Sequence, residues 1–173
     1  MIRSVAWGLL FLVPTLILQS TVLNIVAFAG VKPDILLLLF FFLAVHNGIT
    51  NSTLLGFIFG LILDFSTGSV PGYFSFIFTL AGYILGHWKG KILFDPIAIP
   101  ILFAFIATFY VAVIGFLLSS IFNLGKSFDH FFNKSFLIQL IWNVVISPIV
   151  WLIFHFLRQL LLQSKRGGFD GKN

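Results

Sequence analysis

Cysteine is absent from the 173 residues, which excludes disulfides, thiolate zinc sites and a cysteine nucleophile. The compartment therefore cannot be read from redox chemistry. Glutamate is absent too, so the acidic side chains are five aspartates: Asp34, Asp64, Asp95, Asp129 and Asp170. Charged residues make up only 9% of the chain. A soluble globular domain carries about 25%, so this chain cannot clothe itself for water. His46, His87, His130 and His155 are scattered, with no H-x-x-x-H or H-E-x-x-H spacing, so metal ligation is not expected. Walker, G-x-G-x-x-G and G-x-S-x-G patterns are likewise missing. Dispersed histidines and an isolated aspartate assemble neither an acid–base pair nor an activated nucleophile, so no enzyme and no cofactor are expected.

What fills the chain is apolar: 60% of residues are hydrophobic and the mean hydropathy is +1.12. The uncharged runs suit transmembrane helices at about 20 residues per span. A first helix is expected over 4–28, bent at Pro14. Ala27-Phe28-Ala29 imitates a signal-peptide cleavage site, but the apolar run before it exceeds an h-region of about 7–15 residues. That run also contains Pro14, Gln19 and Asn24, and another membrane-hydrophobic run follows, so it reads as a retained helix. Pro33-Asp34 reads as a stop followed by a helix N-cap. As one helix, residues 35–63 would extend about 43 Å, well beyond a hydrocarbon core of about 30 Å. His46-Asn47-Gly48 and Thr50-Asn51-Ser52 supply turn chemistry in the middle, which splits the run into helices over 34–46 and 52–66. Helices over 73–88, 96–122 and 134–162 complete one all-α polytopic membrane domain, 1–163, without internal repeat. Residues 164–173 form a basic tail, expected to be disordered.

Six spans place both termini on one side together with the loop that follows residue 88. That side holds Arg3, Lys89, Lys91, Arg158, Lys165, Arg166 and Lys172, seven cations against three (Lys32, Lys126 and Lys134) on the other. Treating 35–63 as one span spoils this asymmetry, so the positive-inside rule favours six helices with cytoplasmic ends. The net charge of +5 is accordingly topological, and no nucleic-acid partner is expected.

Within the third helix, Gly56, Gly60 and Asp64 recur every four residues and so share one face. Gly82 and Gly86 form a second small-xxx-small pair on the fourth helix. Both pairs fit close packing of the two helices within the monomer, or pairing with another protein's helix. Asp34 reads as an N-cap in the favourable field of a helix start. Asp64 sits near a helix C-terminus, where the dipole disfavours a carboxylate. Two readings stand: an Asx-type turn accepting from the backbone around Ser66–Gly68, or an interaction site formed with the Ser66–Gly72 loop. Under the six-span topology that loop and both aspartates lie towards the outer face. Ser20 and Asn24, like Gln139, Asn143 and Ser147, form polar stripes that should face the bundle interior or a partner.

Several of these motifs together resemble the rod shape-determining protein MreD family. They are Leu18-Gln19-Ser20-Thr21, then Lys32-Pro33-Asp34 before an Ile/Leu run, then Gly56-x-x-x-Gly60-Leu61-x-x-Asp64. Ser66-x-Gly68-Ser69-x-x-Gly72, Gly82-Tyr83, and Asn143 with Pro148 before a basic tail follow in the same order. Family members often carry an arginine between the second and third helices; here the stretch is His46-Asn47-Gly48-Ile49-Thr50. The resemblance implies a non-enzymatic component of the bacterial elongation machinery in the cell membrane, involved in cell shape and lateral peptidoglycan synthesis. It implies pairing with MreC, alongside the MreB filament, the glycan polymerase RodA and its partner transpeptidase, within the lipid bilayer. It also implies a fold similar to the six-helix substrate-binding subunits of vitamin ECF transporters, with room for a small cavity. A transporter subunit is the alternative function. Its discriminator, an alanine-xxx-alanine coupling motif on helix 1, is absent here.

Overall fold

The stretch Ile35–Val45 carries no polar side chain, and a helix apolar on every face belongs inside a bundle. A computed structural model, which describes residues 2–21, 30–90, 97–125 and 128–166, puts it there. The described elements are helical: α1 (Ile2–Thr21), α2 (Ile35–Asn47), α3 (Ile49–Thr67), α4 (Tyr73–Gly86), α5 (Ala98–Ile121), α6 (Phe128–Phe131) and α7 (Lys134–Arg166). Every residue from Leu36 to Val45 is buried, and α2 packs against α1, α3, α4, α5 and α7. Aromatic rings knit this centre together: Phe40 meets Phe78 edge-on at 4.8 Å, and Phe42 stacks near Phe154 at 6.3 Å.

The break between α2 and α3 is narrower than the sequence reading placed it. Only Gly48 separates them, with φ 83° and ψ 165°, a conformation that favours glycine. Residues 50–52 are helical, and the polar groups of Asn51 and Ser52 bond back along the chain. Ser52 donates to the Ala44 carbonyl at 2.6 Å, and Asn51 donates to that of Asn47 at 3.3 Å. At the same end, the Lys89 ammonium lies 3.4 Å from the Asn47 carbonyl. The single turn α6 was not anticipated, and α5 begins two residues later than expected, at Ala98.

Among the described residues, two prolines lie in helix interiors, Pro14 in α1 and Pro148 in α7, while Pro100 sits in the first turn of α5. Pro148 has no N–H for the carbonyl four residues earlier, that of Val144. The Ser147 hydroxyl donates to that carbonyl at 2.9 Å, which lets α7 continue in an apolar setting. Ser147 donates three residues back, whereas the hydroxyls of Thr15, Thr53, Thr79 and Thr108 donate four residues back.

Among the described residues, three stretches are long and apolar enough to cross a membrane: Ile49–Thr67, Ala98–Ile121 and Phe128–Phe156. Gly8–Ile17, α2 and α4 are apolar but shorter. At 13 residues, α2 extends about 20 Å, less than a hydrocarbon core of about 30 Å. The outward faces of α5 and α7 carry exposed Phe105, Ile106, Phe109, Ile141, Val145 and Ile149. Asn24, the Ala27–Ala29 pattern, Lys91, Asp95-Pro96, Lys126 and residues 167–173 of the tail lie outside the described residues.

Candidate functional site

The four spaced glycines bring α3 and α4 into backbone contact. A methyl group added at Gly56 would strike the Phe78 carbonyl, and one at Gly82 the Ser52 carbonyl. At Gly60 it would meet the backbone of Ser75, and at Gly86 that of Ile49. Each glycine thus lies against the opposite helix of the same chain, and the two pairs interleave along an antiparallel hairpin. Packing between small residues is favoured where lipid supplies no hydrophobic drive for helix association.

This close approach explains the position of Asp64. The carboxylate emerges near the end of α3, where its own helix dipole is unfavourable, but it points at the start of α4. It accepts from Phe74 N at 2.7 Å, Gly72 N at 2.9 Å and Ser75 N at 3.2 Å. The hydroxyls of Ser75 and Ser69 add bonds at 2.7 and 3.0 Å. Gly72 occupies the N-cap position of α4 and has no side chain to cap with, so Asp64 caps α4 from the neighbouring helix. The positive end of the α4 dipole outweighs the unfavourable end of α3, because the α4 donors are in direct contact. Only 3% of Asp64 is exposed. Its bonds run to residues 69–75, beyond the Ser66–Gly68 stretch of the expected Asx turn. Gly68 ends α3 in the left-handed conformation at φ 65°, while Ser66 donates to the Ile62 carbonyl at 2.6 Å. The loop between the helices is exposed and carries Val70 and Pro71, next to Phe65 at 79% exposure.

Asp34 holds the start of the central helix. Its Oδ1 accepts from Leu37 N at 3.1 Å, the expected N-cap bond, and from Gln19 Nε2 at 3.0 Å. The Gln19 oxygen accepts from Leu36 N at 2.9 Å. Asn143 of α7 accepts from Asp34 N at 2.7 Å, and its amide donates to Thr108 Oγ1 of α5 at 2.9 Å. Side chains from α1 and α7, with Asp34 itself, therefore satisfy free backbone donors where α2 begins, and Thr108 of α5 holds Asn143 in place. Without them these donors would be stranded in apolar surroundings, at a cost of about 1–3 kcal/mol each.

Beside Asp34, towards α4, lies an open cavity of about 520 Å³. Asp34, Tyr73, Phe74, Thr108, His130 and Gln139 are among the side chains lining it. Phe74 links the two carboxylate sites: its N–H is held by Asp64 while the residue walls this cavity. Tyr73 reaches α5, where its hydroxyl occupies the space left by Gly115. Among the described residues, no cluster of three His or Asp side chains is arranged to hold a metal ion.

Sequence reasoning placed Asn143 in a polar stripe facing the bundle interior or a partner, and noted Gln19 as part of the helix 1 motif, but it paired neither with Asp34. It did not single out Ser75, Tyr73 or Thr108. Hydroxyls at these positions within apolar helices were the available signal. Comparison with protein families matches residues 1–161 to the rod shape-determining protein MreD family. No curated protein matches, and no solved structure matches.

Proposed function

The chain belongs to the rod shape-determining protein MreD family, and from that premise we propose that it is a scaffold, without catalytic chemistry, of the bacterial cell-elongation complex. In this reading it binds MreC and supports the MreB filament, RodA and its partner transpeptidase during lateral peptidoglycan synthesis. It crosses the cell membrane six times, with both termini in the cytoplasm and a helix arrangement like that of ECF substrate-binding subunits. The shorter helices complete the spans inside the bundle, where α2 is covered by protein on every side. The seven-to-three distribution of basic residues supports this orientation.

The observation that carries the docking role is the outer loop held by Asp64. Five hydrogen bonds fasten this carboxylate to residues 69–75. The exposed Phe65, Val70 and Pro71 thus stand on a rigid base. Rigid apolar anchors lose little conformational entropy on binding, so they suit a protein partner. Asp64 organises this surface rather than touching the partner, and the glycine zipper holds the helices that present it.

The test is a photoreactive amino acid placed at Phe65 or Val70 in growing cells. Crosslinking to MreC from these positions, and not from the opposite end at Trp88, is the expected result. Crosslinking to MreC from Trp88 alone would move the interface to the cytoplasmic end.

A further inference from the structure

The cavity beside Asp34 is lined by groups of contrasting chemistry. Its lining includes a single carboxylate, Asp34, whose Oδ1 accepts from both Gln19 Nε2 and Leu37 N. The aromatic rings of Tyr73, Phe74, Phe131 and Phe136 form walls. His130 and Ser135 also line it, and exposed Lys134 stands between lining residues Asn133 and Ser135. From Phe136 an aromatic track leads out: its ring lies 6.4 Å from that of Phe109, which stacks on Phe105 at 6.4 Å. Phe105 and Phe109 are about half exposed, at 49% and 47%, on the outward face of α5. A lining carboxylate, a lysine adjacent in sequence to lining residues and an apolar surface leading away are groups that complement a zwitterionic amphiphile.

We propose that this cavity binds one phospholipid with a primary-ammonium headgroup, of the phosphatidylethanolamine class. The ammonium goes to Asp34, the phosphate to Lys134, Ser135 and His130, and an acyl chain lies along Phe136, Phe109 and Phe105. A carboxylate in apolar surroundings is stabilised by a cation that brings N–H donors, and aromatic walls favour a cation between them. A trimethylated choline headgroup lacks those donors. The volume of about 520 Å³ is well within the usual range for small-molecule sites. A protein's basic side chain would also suit Asp34, but it has no use for the aromatic track, so the track favours a lipid. Lys32, two residues before Asp34, places its ammonium 3.5 Å from the Gln19 carbonyl and also acts on the Asp34 carboxylate as a nearby positive charge.

The experiment is native mass spectrometry of the full chain in mild detergent, with phosphatidylethanolamine, phosphatidylcholine or phosphatidylglycerol added. One phosphatidylethanolamine per chain is expected, held about tenfold more tightly than the other two, the scale of one charge-assisted hydrogen bond. Asp34→Asn should abolish that preference without lowering the melting temperature. An asparagine oxygen can accept the same bonds from Leu37 N and Gln19. Ala112→Phe, which fills the cavity from α5, should remove the bound lipid in a protein that still folds. Equal retention of all three lipids would mean an annular shell only and would overturn the proposal. So would an undiminished preference in Asp34→Asn, or full lipid binding by folded Ala112→Phe.

Discussion

Asn143 and Asp34 are joined by a 2.7 Å hydrogen bond across 109 residues of chain. The asparagine oxygen takes up the backbone N–H at the entrance to α2, while its amide binds Thr108 on α5. Through this one side chain, α7 closes the bundle around its central helix. Gln19 does the corresponding work from α1, accepting from Leu36 N.

Removing either partner should leave a buried donor without an acceptor. Asn143→Leu and Gln19→Leu should each cost about 1–3 kcal/mol, more than either residue's loss of packing. Because both act on the start of α2, the double variant should deviate from additivity by at least about 0.5 kcal/mol. Thermal unfolding of the detergent-solubilised protein measures this. Strict additivity would mean that the two side chains act independently.

Asp64→Asn should be destabilising even though the shape is kept. Both carboxylate oxygens accept from backbone N–H groups, so one amide hydrogen must face a donor whichever way the asparagine is turned. A loss of about 1–3 kcal/mol is expected, with a larger loss for Asp64→Leu, which strands all of these donors. Unchanged melting of Asp64→Asn would show that the cap contributes little to stability. If the loop is the docking surface, crosslinking to the partner should fall in parallel with stability.

Gly82→Ala adds only a methyl group, but that group would meet the Ser52 carbonyl, which is backbone and cannot rotate away. Overpacking of this kind costs about 1–3 kcal/mol. Gly60→Leu, against the backbone of Ser75, should be worse. Gly68→Ala meets no neighbouring atom but forces a side chain into the left-handed region, so its cost should be about 1 kcal/mol. Membrane abundance and melting temperature should rank the three variants as Gly60→Leu, Gly82→Ala, then Gly68→Ala, from most to least damaging.

The orientation can be tested directly, because the chain has no native cysteine. In intact cells an impermeant thiol reagent should label Ser69→Cys and spare Lys89→Cys. Permeabilisation should make Lys89→Cys reactive. Labelling of Lys89→Cys from outside would overturn the six-span topology.

Some of this architecture was readable before any coordinates. The N-cap at Asp34 uses donors a few residues ahead, so Pro33-Asp34 before an apolar run is enough to suggest it. The glycine spacing points to packing of the third helix on the fourth or to pairing with another protein's helix, and the glycines lie against each other's helices within the chain. Thr50–Ser52 was misread as a turn. Hydroxyl and amide side chains serve loops in water, but here those of Asn51 and Ser52 bond to carbonyls near the end of α2 instead. That difference depends on the medium, which a short motif does not record.

Composition alone determined the solvent of this protein, since 9% charged residues cannot surround a chain of this size with water. Local spacing determined that one helix face carries two glycines and an aspartate. Only the tertiary structure decided what the aspartate does. Its partners are backbone N–H groups up to 11 residues away, brought within reach by the α3–α4 turn and the glycine contacts. Every residue except proline carries such a donor, so no side-chain pattern announces it. The same holds for Gln19, Asn143 and the cavity beside Asp34. Their geometry comes from helices far apart in sequence, and it exists only once the bundle has closed.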